Sequence, residues 1–328
     1  MEKLKGNVRL YACGGAGTNI VKMFEEFRNE EEPGRARLEA VYVDTSRSNL
    51  SAAIPEDAIY LFDNKDGSGG VRKDNHKPIA ERAKEILHQH RPLDINIVVS
   101  SASGGSGSVI APVLVSELLA DGQQVVVIMI GATDTKLFIK NTINTLKSYE
   151  GISNKHGVPV VAAYLENSAE FPRAQVDQAA FRLISSLSYV YSRENAELDS
   201  RDLFNFVNFH RATDFKPQLA GLSMFWGHIP EEATHDVISV ATVAAIGADH
   251  SITFTPDYQC LGYMPEGISR EISELKAIHL TTNSAKFGHV FKDLDSKLDN
   301  LDKASKARIA PTRLIGDDDE TTDHGLVL

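Results

Sequence analysis

Two short glycine-rich stretches of this 328-residue chain carry small hydroxyls and free backbone donors in a pattern that suits anion binding. Ser103-Gly104-Gly105-Ser106-Gly107-Ser108 follows the apolar run Ile95–Ser100 and precedes Val109–Val115. A strand that ends in glycines and small hydroxyls and restarts as a helix points backbone N–H groups, at the positive end of a helix dipole, into one small volume. Such a volume suits a phosphate. The other stretch, Gly14-Gly15-Ala16-Gly17-Thr18-Asn19, reads as a turn between a buried strand, Asn7–Cys13, and the opening of a helix, Ile20–Phe24. Two strand–glycine turn–helix units in one sheet clamp one polyphosphate from two sides.

Known phosphate motifs fit only in part. A dinucleotide site would use Gly15-Ala16-Gly17 as its glycine turn and Asp44 as its ribose ligand, but Ile20 stands where the third glycine belongs. No Gly-x-x-x-x-Gly-Lys-Ser/Thr occurs, which excludes a P-loop nucleotidase. Ser106 sits as the nucleophile of a hydrolase elbow would, yet that motif needs glycine two residues later, where Ser108 stands.

Apolar runs rich in Val and Ile must position these turns. Arg37–Val43, Ile95–Ser100, Val125–Ile130 and Val158–Leu165 alternate with helix-like segments, the pattern of parallel strands buried on both faces. The first half therefore reads as a doubly wound, mostly parallel α/β domain. Residues 62 to 76 are polar and read as a surface loop, or as a third loop on the phosphate side. Phe171, Val176, Ala180, Leu183, Ile184, Leu187 and Val190 have helical spacing and predict a long central helix from Ala169 to about Glu194. It ends at Glu197-Leu198-Asp199-Ser200-Arg201-Asp202. Leu222–Ile229, Val237–Ile246, Ser251–Thr255 and Lys276–Thr282 read as the strands and a helix of a smaller α+β domain. A last helix carries Phe287, Phe291, Leu294, Leu298 and Leu301 on one face, and Lys292, Asp293, Lys297, Asp299 and Lys303 on a face that reads as solvated. The segments so defined are 1–168, 169–202, 203–283, 284–310 and a tail, 311–328.

The composition is 42% apolar, with no run long enough to span a bilayer, which predicts a soluble globular chain without membrane partners. Two cysteines, Cys13 and Cys260, and an N-terminus without signal-peptide character suit a reducing cytoplasm. The formal charge of −11 argues against a nucleic-acid-binding surface. Asp317, Asp318, Asp319, Glu320 and Asp323 concentrate acid in the tail, which has no core-forming pattern.

Taken together, Gly14–Asn19, Ser103–Ser108 and Glu197–Asp202, in that order and spacing, resemble the tubulin/FtsZ superfamily of GTP-dependent filament proteins. Ser103–Pro112, Leu198–Phe206 and Phe215–Ala220 further resemble tubulins encoded by large bacteriophages, the PhuZ type. The resemblance spans nearly the whole chain. It departs from the superfamily pattern at Ser106, usually Thr, at Val109, usually Gly, and at Glu197, where FtsZ has Asn.

The resemblance implies a GTPase that polymerises, with nucleotide on one subunit and hydrolytic residues supplied by the next. Asp199 and Asp202 are then the catalytic carboxylates, orienting the water that attacks the γ-phosphate. Gly14, Gly15, Ala16, Gly17, Thr18 and Asn19 with Gly104, Gly105, Ser106, Gly107 and Ser108 hold the phosphates of GTP or GDP. Gly69 and Gly70 lie near the γ-phosphate, Asp44 lies at the pocket's second loop, and Asp134 and Lys140 lie on the ribose side. Asp177 falls about where FtsZ reads guanine, and a carboxylate there accepts from N1–H and N2–H₂ together. Mg²⁺ bridges phosphate oxygens. The acidic tail, with Asp317, Asp318, Asp319 and Arg313, docks on a neighbouring subunit, and the polymer positions phage DNA or capsids in the bacterial host cytoplasm. The alternatives are a Rossmann-type oxidoreductase and a GTP-binding assembly protein that does not hydrolyse.

Overall fold

The computed structural model describes residues 5–27, 32–62, 69, 72 and 76–307. Gly70 and the tail residues Arg313, Asp317, Asp318 and Asp319 lie outside the described residues. In chain order the first half holds β1 (Asn7–Cys13), α1 (Gly14–Val21), β2 (Arg37–Asp44), β3 (Ile59–Leu61), α2 (His76–Gln89), β4 (Ile95–Ser101), α3 (Gly107–Ala120), β5 (Val125–Ala132), α4 (Lys136–His156), β6 (Val160–Asn167) and α5 (Arg173–Val190). The second half holds α6 (Ser200–Val207), β7 (Leu219–Trp226), β8 (Val237–Ala244), β9 (Tyr258–Tyr263), α7 (Arg270–Glu274), β10 (Ala277–Asn283) and α8 (Lys286–Ala307).

The strands form one ten-stranded sheet in the order β3-β2-β1-β4-β5-β6-β7-β10-β8-β9. Pairing is parallel from β3 through β7, antiparallel on both sides of β10, and parallel again between β8 and β9. Alternate residues of β1 feed two cores, Val8, Leu10 and Ala12 on one face, Tyr11 and Cys13 on the other. All eight residues of β5 are buried, as a parallel strand covered by helices on both faces requires. Strand order reverses between β1 and β4, and in open α/β sheets the crevice at such a point, beyond the carboxyl ends of the strands, is where ligands bind.

Several elements differ from the sequence expectation for identifiable reasons. Gly14–Asn19 is the body of α1 rather than a turn before it, and the second helix starts at Gly107 rather than Val109. The central helix spans only Arg173–Val190, because Pro172 sets its first residue and Arg193 at φ 63° leaves the helical region. Phe171 thus lies outside it, 57% exposed. Gly227, with φ +78°, stops β7 at Trp226, so that strand is shifted towards the N-terminus of its expected span. Ser251–Thr255 forms no strand or helix: Asp249 Oδ1 accepts from both Ser251 N and Oγ, and Pro256 follows. The strand of this region is β9, whose neighbour β8 carries eight buried residues. The charged face of α8 is not simply solvated, since Lys297 bonds Glu166 at the end of β6 at 2.8 Å and Lys136 of α4 pairs with Asp302. One sheet runs through both halves, so segments 1–168 and 203–283 share a continuous hydrogen-bond ladder.

Candidate functional site

The two glycine turns meet at the carboxyl edge of β1 and β4. A Cβ on Gly107 would lie 2.5 Å from the Cys13 carbonyl oxygen, and one on Gly17 would lie 2.3 Å from that of Val99, so only glycine lets α3 and α1 come this close to the strands. Gly14 adopts φ +71° with its Cα beside Gly107, which brings the two helix N-termini together. Neither terminus is capped by a side chain: Cys13 precedes α1 and Ser106 precedes α3 without a capping hydrogen bond. Two adjacent uncapped N-termini direct free N–H donors and two dipole ends at the same space. Thr18 Oγ1, one turn into α1, is buried without a partner among the described residues. Phosphate oxygens fit this donor set.

Polar side chains from neighbouring elements fix the turns. Thr45 Oγ1 lies 2.6 Å from Ser106 Oγ, joining the loop after β2 to the second turn. Asp44 is buried, with Oδ1 accepting from Thr45 N at 2.6 Å and Oδ2 from Asn49 Nδ2 at 2.8 Å. Burial raises its pKa, and the bonds from Asn49, Thr45 and Ser46 act in the opposite direction. Asn49 also lies against Gly15. Behind the second turn, α4 holds the backbone: Asn141 Nδ2 donates to Ser103 O at 2.9 Å and Thr145 Oγ1 to Ala102 O at 2.8 Å. Ser101 Oγ accepts from Gly104 N at 3.0 Å, and Ser108, already inside α3, donates to Gly104 O. Thr45, Asn49, Asn141 and Thr145 were not singled out by sequence reasoning. The signal for the last two was a polar pair at helical spacing, i and i+4, on the buried stripe of α4.

Asn19, Asp177, Asp134 and Lys140 lie along this edge, near the starts of α1, α5 and α4. Asn19 on α1 accepts from Lys22 Nζ at 2.9 Å, and Asp177 on the facing α5 lies 3.6 Å from Arg173. Burial raises the Asp177 pKa, opposed by Arg173 and Lys22. Asp134 and Lys140 are exposed at the start of α4. Gly69 is exposed at φ +54° with open space around it.

Asp199 and Asp202 sit at the other end of the molecule. The end of α5 is tied to the residue preceding β1 by a bond from Gly6 N to Ser192 O at 2.7 Å, which puts the Asp199 loop at the amino edge of the parallel strands. Seven residues of β1 at about 3.3 Å each separate that edge from Gly14, roughly 20 Å. The two aspartates form a capping box on α6. Asp199 Oδ1 accepts from Arg201 N at 2.7 Å and Asp202 N at 2.9 Å, and Asp202 Oδ2 accepts from Asp199 N at 3.1 Å. Asp199 is exposed and bonds through Oδ1 alone, whereas Asp202 is half-buried, with the Tyr258 hydroxyl donating to its carbonyl at 3.2 Å and lying against its carboxylate. No helix among the described residues is long and apolar enough to cross a membrane.

A mostly parallel sheet with two glycine-opened helices at its switch point, a central helix leading to an acidic loop at the opposite edge, and a mixed sheet extension is the arrangement that the resemblance to the tubulin/FtsZ superfamily implied. Comparison with known proteins narrows this further. No protein-family model matches the chain. The chain is similar to phage tubulin-like proteins, among them one from Pseudomonas phage PhiPA3, 28% identical over 330 residues and covering 100% of both chains. Among solved structures, a protofilament of TubZ from bacteriophage PhiKZ superposes with TM-score 0.85 at 28% identity, covering 98% of this chain and 99% of that one. The phage tubulin PhuZ with GDP shares the fold at TM-score 0.85 and 21% identity, with 98% of each chain covered.

Proposed function

We propose that this chain binds GTP at the paired turns, polymerises head to tail, and hydrolyses GTP where two subunits meet. One observation carries the proposal: the phosphate-suited turns and the Asp199–Asp202 pair lie on opposite edges of one chain, separated by the length of β1, roughly 20 Å. Within a chain they cannot act together; stacked in the same orientation, the acidic loop of one copy faces the turns of the next. The fold likeness to a GDP-bound phage tubulin and the self-assembly of a 28% identical relative support this reading.

In the proposed site, Gly14–Asn19 and Gly104–Ser108 grip the phosphates through N–H and hydroxyl donors, Asp177 accepts from guanine, and Asp134 and Lys140 flank the ribose. Mg²⁺ bound with the nucleotide would supply neutralisation of the charge that develops on the leaving group. The carboxylates of Asp199 and Asp202 orient the attacking water. The acidic tail is proposed to dock on the next subunit, and the polymer to position phage DNA or capsids in the host cytoplasm.

A second reading, assembly with GTP but without hydrolysis, draws on the capping box, which already engages one oxygen of each aspartate. Asp202→Asn separates the two, because the amide keeps an acceptor for Asp199 N and loses the charge. Slowed phosphate release from persistent filaments supports hydrolysis by this pair. Release at the wild-type rate removes Asp202 from the mechanism.

Right-angle light scattering with Mg²⁺ and added GTP, GDP or ATP tests the proposed function. A rise with GTP alone, above a threshold protein concentration, is expected. No rise with any nucleotide would overturn it.

A further inference from the structure

Among the described residues, five large apolar side chains are exposed: Leu137, Phe171, Trp226, Ile246 and Leu301. Three of them lie at the two edges just described. Phe171, 57% exposed, projects from the turn between β6 and α5, which is closed by Phe171 N donating to Ser168 Oγ at 3.1 Å and Ser168 N to Phe171 O at 3.0 Å. Leu137 is in the first turn of α4, after the adjacent strand β5. Both therefore stand at the carboxyl edge, beside the glycine turns.

Ile246, 72% exposed, projects from the turn after β8, closed by a bond from Ala248 N to Ala245 O at 3.1 Å with Gly247 at φ +77°. That turn adjoins the acidic loop. Met264 N donates to Ala244 O at 2.8 Å, and the neighbouring Tyr263 pairs with Ala196 in both directions, at 2.8 and 2.9 Å. Ile246 thus belongs to the edge that carries Asp199.

Exposing apolar area to water is unfavourable, yet both turns are held shut by hydrogen bonds that present the side chain outward. Patches on opposite edges are not one self-complementary surface, so a twofold dimer does not bury both, whereas a heterologous contact repeated along a line does. We infer that Phe171 with Leu137 on one copy and Ile246 on the next are the apolar anchors of the end-to-end contact. The occupant is a second copy of this chain, as in the relative solved as a protofilament. The inference rests on the polymer reading above and adds the residues that hold the contact together.

Phe171→Asp and Ile246→Asp test it. Each substitution puts a charge into a contact meant to be dry and is expected to raise the critical concentration with Mg²⁺ and GTP by at least about tenfold. Each variant keeps one intact edge, so a small proportion of either, mixed with wild type, is expected to join growing filaments and block the next addition. A misfolded variant would not poison wild-type growth in this way. Wild-type critical concentration in both variants, or wild-type elongation unaffected by either, would overturn the assignment while leaving polymerisation standing. If the wild type does not assemble with GTP, the reading beneath the inference fails and the inference falls with it.

Discussion

At the scale of single residues, the glycines of the two turns do different work, and substitution separates them. A Cβ at Gly107 would overlap the Cys13 carbonyl at 2.5 Å, whereas at Gly104 it would meet only Ser101 Oγ and Cβ at 3.4 and 3.5 Å. Gly107→Ala should therefore cost about 2 kcal/mol through overpacking against the backbone, with GTP affinity falling as α3 moves away from β1. Gly104→Ala should leave the thermal midpoint close to wild type. Thermal denaturation and a fluorescent-GTP titration read both effects, and equal loss in the two variants would contradict this division. The glycines were legible in the sequence because strand, glycines and helix follow one another in the chain. Thr45 was not, because the loop it meets is set by sheet order; Asn141 and Thr145 left a local trace, a polar pair at i and i+4 on the buried stripe of α4, but their partners Ser103 and Ala102 on another element did not. Asp199 and Asp202 were singled out through the resemblance alone, and their capping box gives them a structural role alongside the proposed chemical one.

At the scale of elements, α8 is fastened to the sheet at its first turn. Asn283 Oδ1 accepts from Ala285 N and Lys286 N at 2.9 Å each, and the Lys286 stem crosses Gly221 to deliver Nζ to Leu222 O and Ser223 Oγ at 3.1 Å. No carboxylate pairs with this ammonium among the described residues, and desolvation lowers its pKa. A lysine whose folded pKa is depressed is unfavourable while protonated, so its penalty is relieved as pH rises through the folded pKa and is gone above the unfolded value of 10.5. Lys286→Met keeps the stem and removes the charge. Relative to the variant, the wild type should gain stability as pH is raised from neutrality towards 10, measured by denaturant unfolding at a series of pH values. A stability difference independent of pH would contradict the desolvated-lysine account. The helix itself was legible from its apolar face; the strand displaced from Ser251–Thr255 to β9 was not, since an Asx turn at Asp249 and the proline at 256 outweigh a short apolar run.

At the scale of the whole molecule, the two edges differ in kind. One offers uncapped helix ends and exposed Phe171 and Leu137, the other exposed Ile246 and an acidic loop, and this polarity was visible in the sequence only through the resemblance of three motifs. Their separation needed the sheet. Truncation after Pro311, removing Asp317, Asp318 and Asp319, should leave GTP binding intact and strongly raise the critical concentration in light scattering; unchanged assembly would remove the tail from the contact. The central claim is that no single chain holds a complete hydrolytic site, and phosphate release per subunit, followed with Mg²⁺ and GTP across a dilution series, tests it most directly. The account predicts almost no release below the assembly threshold and a steep rise above it. Release per subunit that stays constant through the threshold would place the whole reaction within one chain and contradict it.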